Sequence, residues 1–222
     1  MTKVRSREEC LDAIQADSAW RKKEMALIKG RIFYDTERDI DPLLRSAVVL
    51  TYAHWEGFVK TASELYFAHI NEVIHRRAVK LSQHFSDLLM WKKFRQKGEH
   101  LFTRNPVPFL TMRREWPCAA GELLPADTIN TESNLSSDVL KRLTITLGVD
   151  YSFFETKEKL IDESLLKTRN QIAHGERIAV RRDEYETIDR EIRQLIDHFQ
   201  RLIEECVQLE RYRAAPDAEG SQ

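Results

Sequence analysis

Residues 165–176, Leu-Leu-Lys-Thr-Arg-Asn-Gln-Ile-Ala-His-Gly-Glu, hold the side chains best suited to chemistry. Arg169 and Asn170 are adjacent on what reads as a helix, and His174 follows five residues after the arginine. On an ideal helix that offset is about 140° of rotation and about 7.5 Å of rise, so the two do not share a narrow stripe. A long arginine side chain can still swing toward an imidazole at the helix end. Gly175 stands where a C′ glycine ends a helix. That puts His174 in the last turn, where the macrodipole favours positive charge. A guanidinium that can grip phosphate oxygens in bidentate fashion, beside an imidazole with an ordinary pKa of about 6.5, suits work on a phosphodiester.

Spacing alone decides little, because the same offset recurs at Arg95/His100 and Arg193/His198. For any such pair two solvated side chains are the bland reading. What sets the first pair apart is Asn170 directly after the arginine, Ile172-Ala173 before the histidine and Gly175-Glu176 after it. A structural reading stands beside the chemical one: Asn170 caps or bridges helices and His174 merely closes a helix end.

The elements that would position these residues are helical. Ser6 with Glu9 is a capping-box pattern opening a first helix that should end near Gly30, with Leu11, Ile14, Ala19, Met25 and Ile28 on its apolar face. Arg21-Lys22-Lys23 reads as a solvated face, with an RNA contact as the alternative. Asp41-Pro42 places an acidic cap before proline at the first helical position. Leu44, Val48, Tyr52, Trp55, Val59, Ala62, Tyr66 and Val73 then recur at helical steps toward about Ile74. Gly57 inside that run reads as a close helix–helix approach, and Glu56 with Lys60 as an i,i+4 pair.

A further helix over 81–97 ends in Lys92, Lys93, Arg95 and Lys97. These residues either complement the helix dipole or form a weak RNA-binding patch. About 98–132 holds four of the six prolines and reads as an irregular insertion, with a short strand or helical turn inside it. Leu135 to Leu147 is a short helix stopped by Gly148. The signature helix turns its Leu160, Ile161, Leu165, Leu166 and Ile172 to the core. Asp183 with Glu186 opens a last helix apolar at three- and four-residue steps from Tyr185 to Leu209. Residues 1–213 thus read as one all-α domain and 214–222 as a disordered tail.

Composition fits. In 222 residues, 32% charged and 42% hydrophobic, 35 basic and 36 acidic side chains nearly cancel, so any RNA contact must come from local patches. Cys10, Cys118 and Cys206 are odd in number and far apart, which points to reduced thiols in the cytoplasm. No run of 18 apolar residues suggests a membrane span. No Gly-rich phosphate loop, Gly-x-Ser-x-Gly elbow or His-x3-His pair is present, and no metal site or cofactor is expected.

Together with residues 51–60 (Thr-Tyr-Ala-His-Trp-Glu-Gly-Phe-Val-Lys) and the run from Thr131-Glu132-Ser133-Asn134-Leu135 to Leu147-Gly148-Val149, the Arg169-Asn170-x3-His174 stretch resembles the HEPN superfamily, in particular bacterial conflict-system and toxin-type domains. The three stretches stand in the expected order, and the resemblance covers roughly residues 8–210. It implies a HEPN-like helical bundle of about 5–6 helices with the irregular Pro-containing insertion. It also implies metal-independent RNA cleavage by Arg169, Asn170 and His174, with His54, Glu56 and Glu176 as candidate supporting groups. A homodimer bringing two Arg/His sets to one cleft follows from the resemblance, as does an antitoxin or neighbouring defence protein as partner. A non-catalytic HEPN module that binds RNA, a nucleotide or a protein is the alternative.

Overall fold

The computed structural model describes residues 4–34, 40–76, 79–96, 123–124 and 126–215, excepting the side chains of 92–96 and 126. Ser6 and Glu9 cap the first helix as their pattern requires. Ser6 Oγ accepts the Glu9 amide at 3.1 Å, and the Glu9 carboxylate accepts the Arg5 amide at 2.7 Å. Helix α1 (Arg7–Tyr34) then runs through Gly30 instead of ending there. Its buried stripe is Cys10, Ile14, Ser18, Arg21, Met25 and Ile32, so a serine and an arginine hold core positions while Ala19 faces solvent.

Helix α2 (Asp41–Arg76) starts at the Asp-Pro pair and buries Leu44, Val48, Tyr52, Trp55, Phe58, Val59, Ala62 and Tyr66 among others. Arg21 explains Gly57. Its guanidinium is held by Asp17 at 2.7 Å, donates to the His54 carbonyl at 3.5 Å, and lies where a Cβ on residue 57 would come within 2.5 Å of Nη1. Arg21 is therefore neither solvated nor free for RNA, and Lys22 is tied across to Asp197 and Gln200.

Helix α3 (Gln83–Gln96) follows, and a 3-10 turn (Ala126–Thr128) lies within the 98–132 stretch, where a short strand or a helical turn is expected. Asn71 on α2 pins Leu124 twice, accepting its amide at 2.6 Å and donating to its carbonyl at 3.2 Å. Most of the 98–132 stretch, with Lys97 and the side chains of Lys92, Lys93 and Arg95, lies outside the described residues, as do 216–222 of the tail. Ala214, at the head of that tail, is held by its amide to the Lys80 carbonyl at 2.9 Å.

Helix α4 (Ser137–Leu147) has Ser136 as N-cap and ends at Gly148, whose φ of 68° is the left-handed conformation that favours glycine. A short α5 (Ser152–Glu155) leads to a π-helical segment (Leu160–Lys167), which passes without a break into α6 (Thr168–Ala173). The last helix, α7 (Arg182–Gln208), begins with Arg181 as its cap. The Glu184 carboxylate accepts the Arg181 amide at 3.0 Å, so the capping pair lies two residues earlier than the expected Asp183 and Glu186.

The molecule is an all-α bundle in which α1, α2 and α7 pack against one another and α6 lies against α2. Among the described residues the only strand-like pairing is one bridge between Leu81 and Arg213. Trp55, Phe58, Phe154 and Phe199 form the aromatic centre of the core. No helix among the described residues is long and apolar enough to cross a membrane.

Burial holds His54, His69, His84 and His198 below the ordinary imidazole pKa, because the charged form loses hydration. The unfolded chain then takes up protons first as pH falls. This stabilisation is complete above about pH 6.5 and is lost as pH drops from there through the folded values. Glu191, which Lys157 holds below the carboxylate range, acts only at lower pH. The melting temperature should therefore be lower at pH 5.5 than at pH 7.5, measured by circular dichroism. A flat profile across that interval would contradict the burial of these rings.

Candidate functional site

Arg169 turns inward from α6 toward α2 and the loop that precedes α4. Its Nη1 donates to Asn170 Oδ1 at 2.6 Å and to Asn134 Oδ1 at 3.2 Å, and its Nη2 donates to the Ser133 carbonyl at 3.3 Å. Glu56 Oε2 lies 3.8 Å from Nη2, and the guanidinium sits 4.4 Å above the centre of the Tyr52 ring. Tyr52 and Glu56 are four residues apart on α2, hence on one face, and together they form the floor and one wall of the site. The arginine remains partly open to solvent.

The loop that supplies Ser133 and Asn134 is strained. Glu132 and Ser133 have φ of 54° and 59°, a left-handed conformation costing roughly 1–2 kcal/mol for each residue that is not glycine. Local bonds hold it in place. Asn130 Oδ1 accepts the Glu132 amide at 2.8 Å, Arg142 pairs with Glu132 at 2.8 Å, and Leu135 donates its amide to Tyr52 Oη at 2.6 Å. Downstream, Ser137 is bound through its amide and hydroxyl to Asp162 of the π-helical segment. Burial, and then the Glu56 carboxylate, push the Tyr52 phenol up, while the Leu135 amide and Arg169 oppose them. Tyr52 stays neutral and acts as an acceptor and a stacking surface.

His174 ends α6. Its amide donates to the Asn170 carbonyl at 2.9 Å, and Gly175, with φ of 83°, reverses the chain behind it. The ring is exposed and has no hydrogen-bond partner among the described residues. Because α6 is regular, the rotation of about 140° between Arg169 and His174 is realised, and the two side chains are not brought together within one chain. The Asn170 side chain orients Arg169, not His174.

Of the candidate supporting groups, Glu56 belongs to the site and its pairing with Arg169 replaces the expected pair with Lys60. His54 does not belong. Two positions from Glu56, it faces α1, where Glu24 lies 3.1 Å from Nε2 and Trp20 meets the ring edge-on at 5.4 Å. An offset of two on a helix is about 200°, which sends the two side chains to opposite sides. Glu176 accepts from Gln171 Nε2 at 2.9 Å, beyond the turn at Gly175. The duplicate offset at Arg193/His198 is structural: Arg193 pairs with Asp189, and His198 stacks on Phe153 at 3.9 Å. The Arg95 side chain and His100 lie outside what the structure describes.

Tyr52, Ser133 and Asn134 are the residues that reading the signature alone misses. Each falls in one of the other two stretches that carry the HEPN resemblance, so the signal was present as order along the chain, without a role attached. The family model for RiboL-PSP-HEPN matches residues 16–205 and so contains all three stretches. The chain belongs to the RiboL-PSP-HEPN family. Neither curated proteins nor solved structures yield a match. In this HEPN domain the family match and the all-α bundle agree, and Arg169, Asn170 and His174 stand inside the matched span. Among the described residues no three of His, Cys, Asp and Glu cluster as a metal site would require.

Proposed function

We propose that this HEPN domain is a metal-independent endoribonuclease. The observation that carries the reading is the contrast on α6: Arg169 is oriented by Asn170, Asn134, Ser133 and Glu56, whereas His174, one turn on, is exposed and unengaged. Arginine is built to hold a phosphodiester and to stabilise charge developing on its oxygens. The imidazole would take the proton from a ribose 2′-hydroxyl as its oxygen attacks the adjacent phosphorus, or would protonate the departing 5′-oxygen. The products would carry a 2′,3′-cyclic phosphate, or a 3′-phosphate after hydrolysis.

One histidine cannot serve both steps at once, and Arg169 and His174 point apart in one chain. A homodimer in which the signature helices of two copies share a cleft meets both needs, and a strictly monomeric species in sedimentation would remove it. Action as a toxin or phage-defence effector, with an antitoxin or neighbouring defence protein as partner, rests on the resemblance to conflict-system domains, and a place in the cytoplasm on the three scattered cysteines. The second reading is a non-catalytic module that binds RNA, a nucleotide or a protein. It is favoured by the same lack of contact between Arg169 and His174.

The deciding experiment is incubation of the purified protein with total cellular RNA in EDTA. Cleavage leaving cyclic phosphate ends supports the ribonuclease; intact RNA supports the binding module.

A further inference from the structure

We infer that Asn134, from a segment outside the signature helix, contacts the RNA phosphate directly. Arginine nitrogens only donate hydrogen bonds, so Asn134 and Asn170, both within bonding distance of Arg169 Nη1, must each present the amide oxygen to it. That fixes both amides and leaves both Nδ2 groups as donors without an acceptor among the described residues. Arg169 Nε likewise has no acceptor there. Three donors from two separate segments thus meet at one guanidinium, and Asn134 is exposed.

The charge balance makes the neutral donors matter. Glu56, 3.8 Å from Nη2, offsets much of the field of Arg169, so an approaching phosphate gains less from charge than it would at a lone arginine. Amide donors attract phosphate oxygens without needing net charge. The strained backbone at Glu132 and Ser133 is the device that presents Asn134 here, and strain of this kind collects at functional sites.

This rests on the ribonuclease reading, and its test separates the two. The full chain carrying His174→Ala is titrated against a short fluorescein-labelled single-stranded RNA at low salt, with and without Arg169→Lys, which keeps a cationic donor beside Asn134 and Asn170. Asn134→Ala is then added to each background. If Asn134 touches RNA, its removal weakens binding about tenfold in both backgrounds, the size of a lost hydrogen bond to a charged group. A loss seen only while Arg169 is present would make Asn134 a positioning residue and overturn the inference, as would no loss in either background. Asn134→Ser and thermal melts guard against misfolding. Binding that depends on Asn134, with no cleavage by the wild-type chain, would remove the ribonuclease reading and keep the contact. Absence of RNA binding by the His174→Ala chain would overturn the contact, and the ribonuclease reading falls with it only where the wild-type chain also leaves RNA intact.

Discussion

His174→Ala is expected to lower RNA cleavage by about 10²- to 10⁴-fold, the usual contribution of a positioned acid or base, while leaving the melting temperature almost unchanged. The stability half of this result follows from the ring's surroundings. It is exposed, it has no hydrogen-bond partner among the described residues, and the turn behind it is made by Gly175. Surface substitutions of this kind stay within about 0.5 kcal/mol. Arg169→Ala is a poorer probe. It would also release Ser133, Asn134 and Asn170, uncover Tyr52 and leave Glu56 without its cation. Cleavage assays in EDTA paired with melts of both variants separate the cases. If His174→Ala unfolds the protein, His174 is a structural residue. If it folds and cleaves at the wild-type rate, the general acid–base role is wrong.

A large effect on stability is expected at Asp189. Its carboxylate is fully buried between α7 and α1, with Arg193 Nε at 3.0 and 3.1 Å and Lys29 Nζ at 3.2 Å. Arg193 also donates to the Lys22 carbonyl at 3.2 Å, so the cluster joins the two helices. Asp189→Ala leaves two cations facing an apolar gap. Breaking a buried pair costs about 3–5 kcal/mol, and partial exposure of both cations places the expected loss at the lower end, about 3 kcal/mol. For a chain of this size that is a fall of about 10 °C in melting temperature. The exposed pair Lys159–Glu163, at 4.0 Å, is the contrast: Glu163→Ala should cost no more than about 0.5 kcal/mol. Urea titration of both variants measures the difference. Equal effects would mean that the Asp189 cluster is hydrated in solution.

The fold was legible where side-chain period and end chemistry agreed. Asp41-Pro42 starts α2, Gly148 ends α4, and the three- and four-residue steps from Tyr185 mark α7. Legibility failed where one long polar side chain took an apolar place. Arg21 reads as surface in any pattern, and only its seat on Gly57 beside Asp17 makes it part of the core. Gly30 carries no chain reversal, so α1 continues through it. The chemistry of the site was legible as residue types on one segment. Its geometry was not, because His54 and Glu56 differ by a half-turn of helix and Asn134 reaches Arg169 from 35 residues away. The π-helical segment leaves no mark in composition, since the wider turn depends on what the helix packs against.

That π-helical stretch, Leu160–Lys167, places Arg169 by dead reckoning: every residue after it inherits whatever angle it accumulates. Such segments often arise as one surplus residue in an α-helix. Were that stretch to tighten into an ordinary α-helix with every residue kept, Arg169 would be carried round the axis by about 100° relative to Ile161, away from Tyr52. The Arg-to-His interval in the text of the sequence would be untouched. Two chains with identical signatures can therefore differ in whether the signature arginine meets its pocket, and the winding of the run before it decides which.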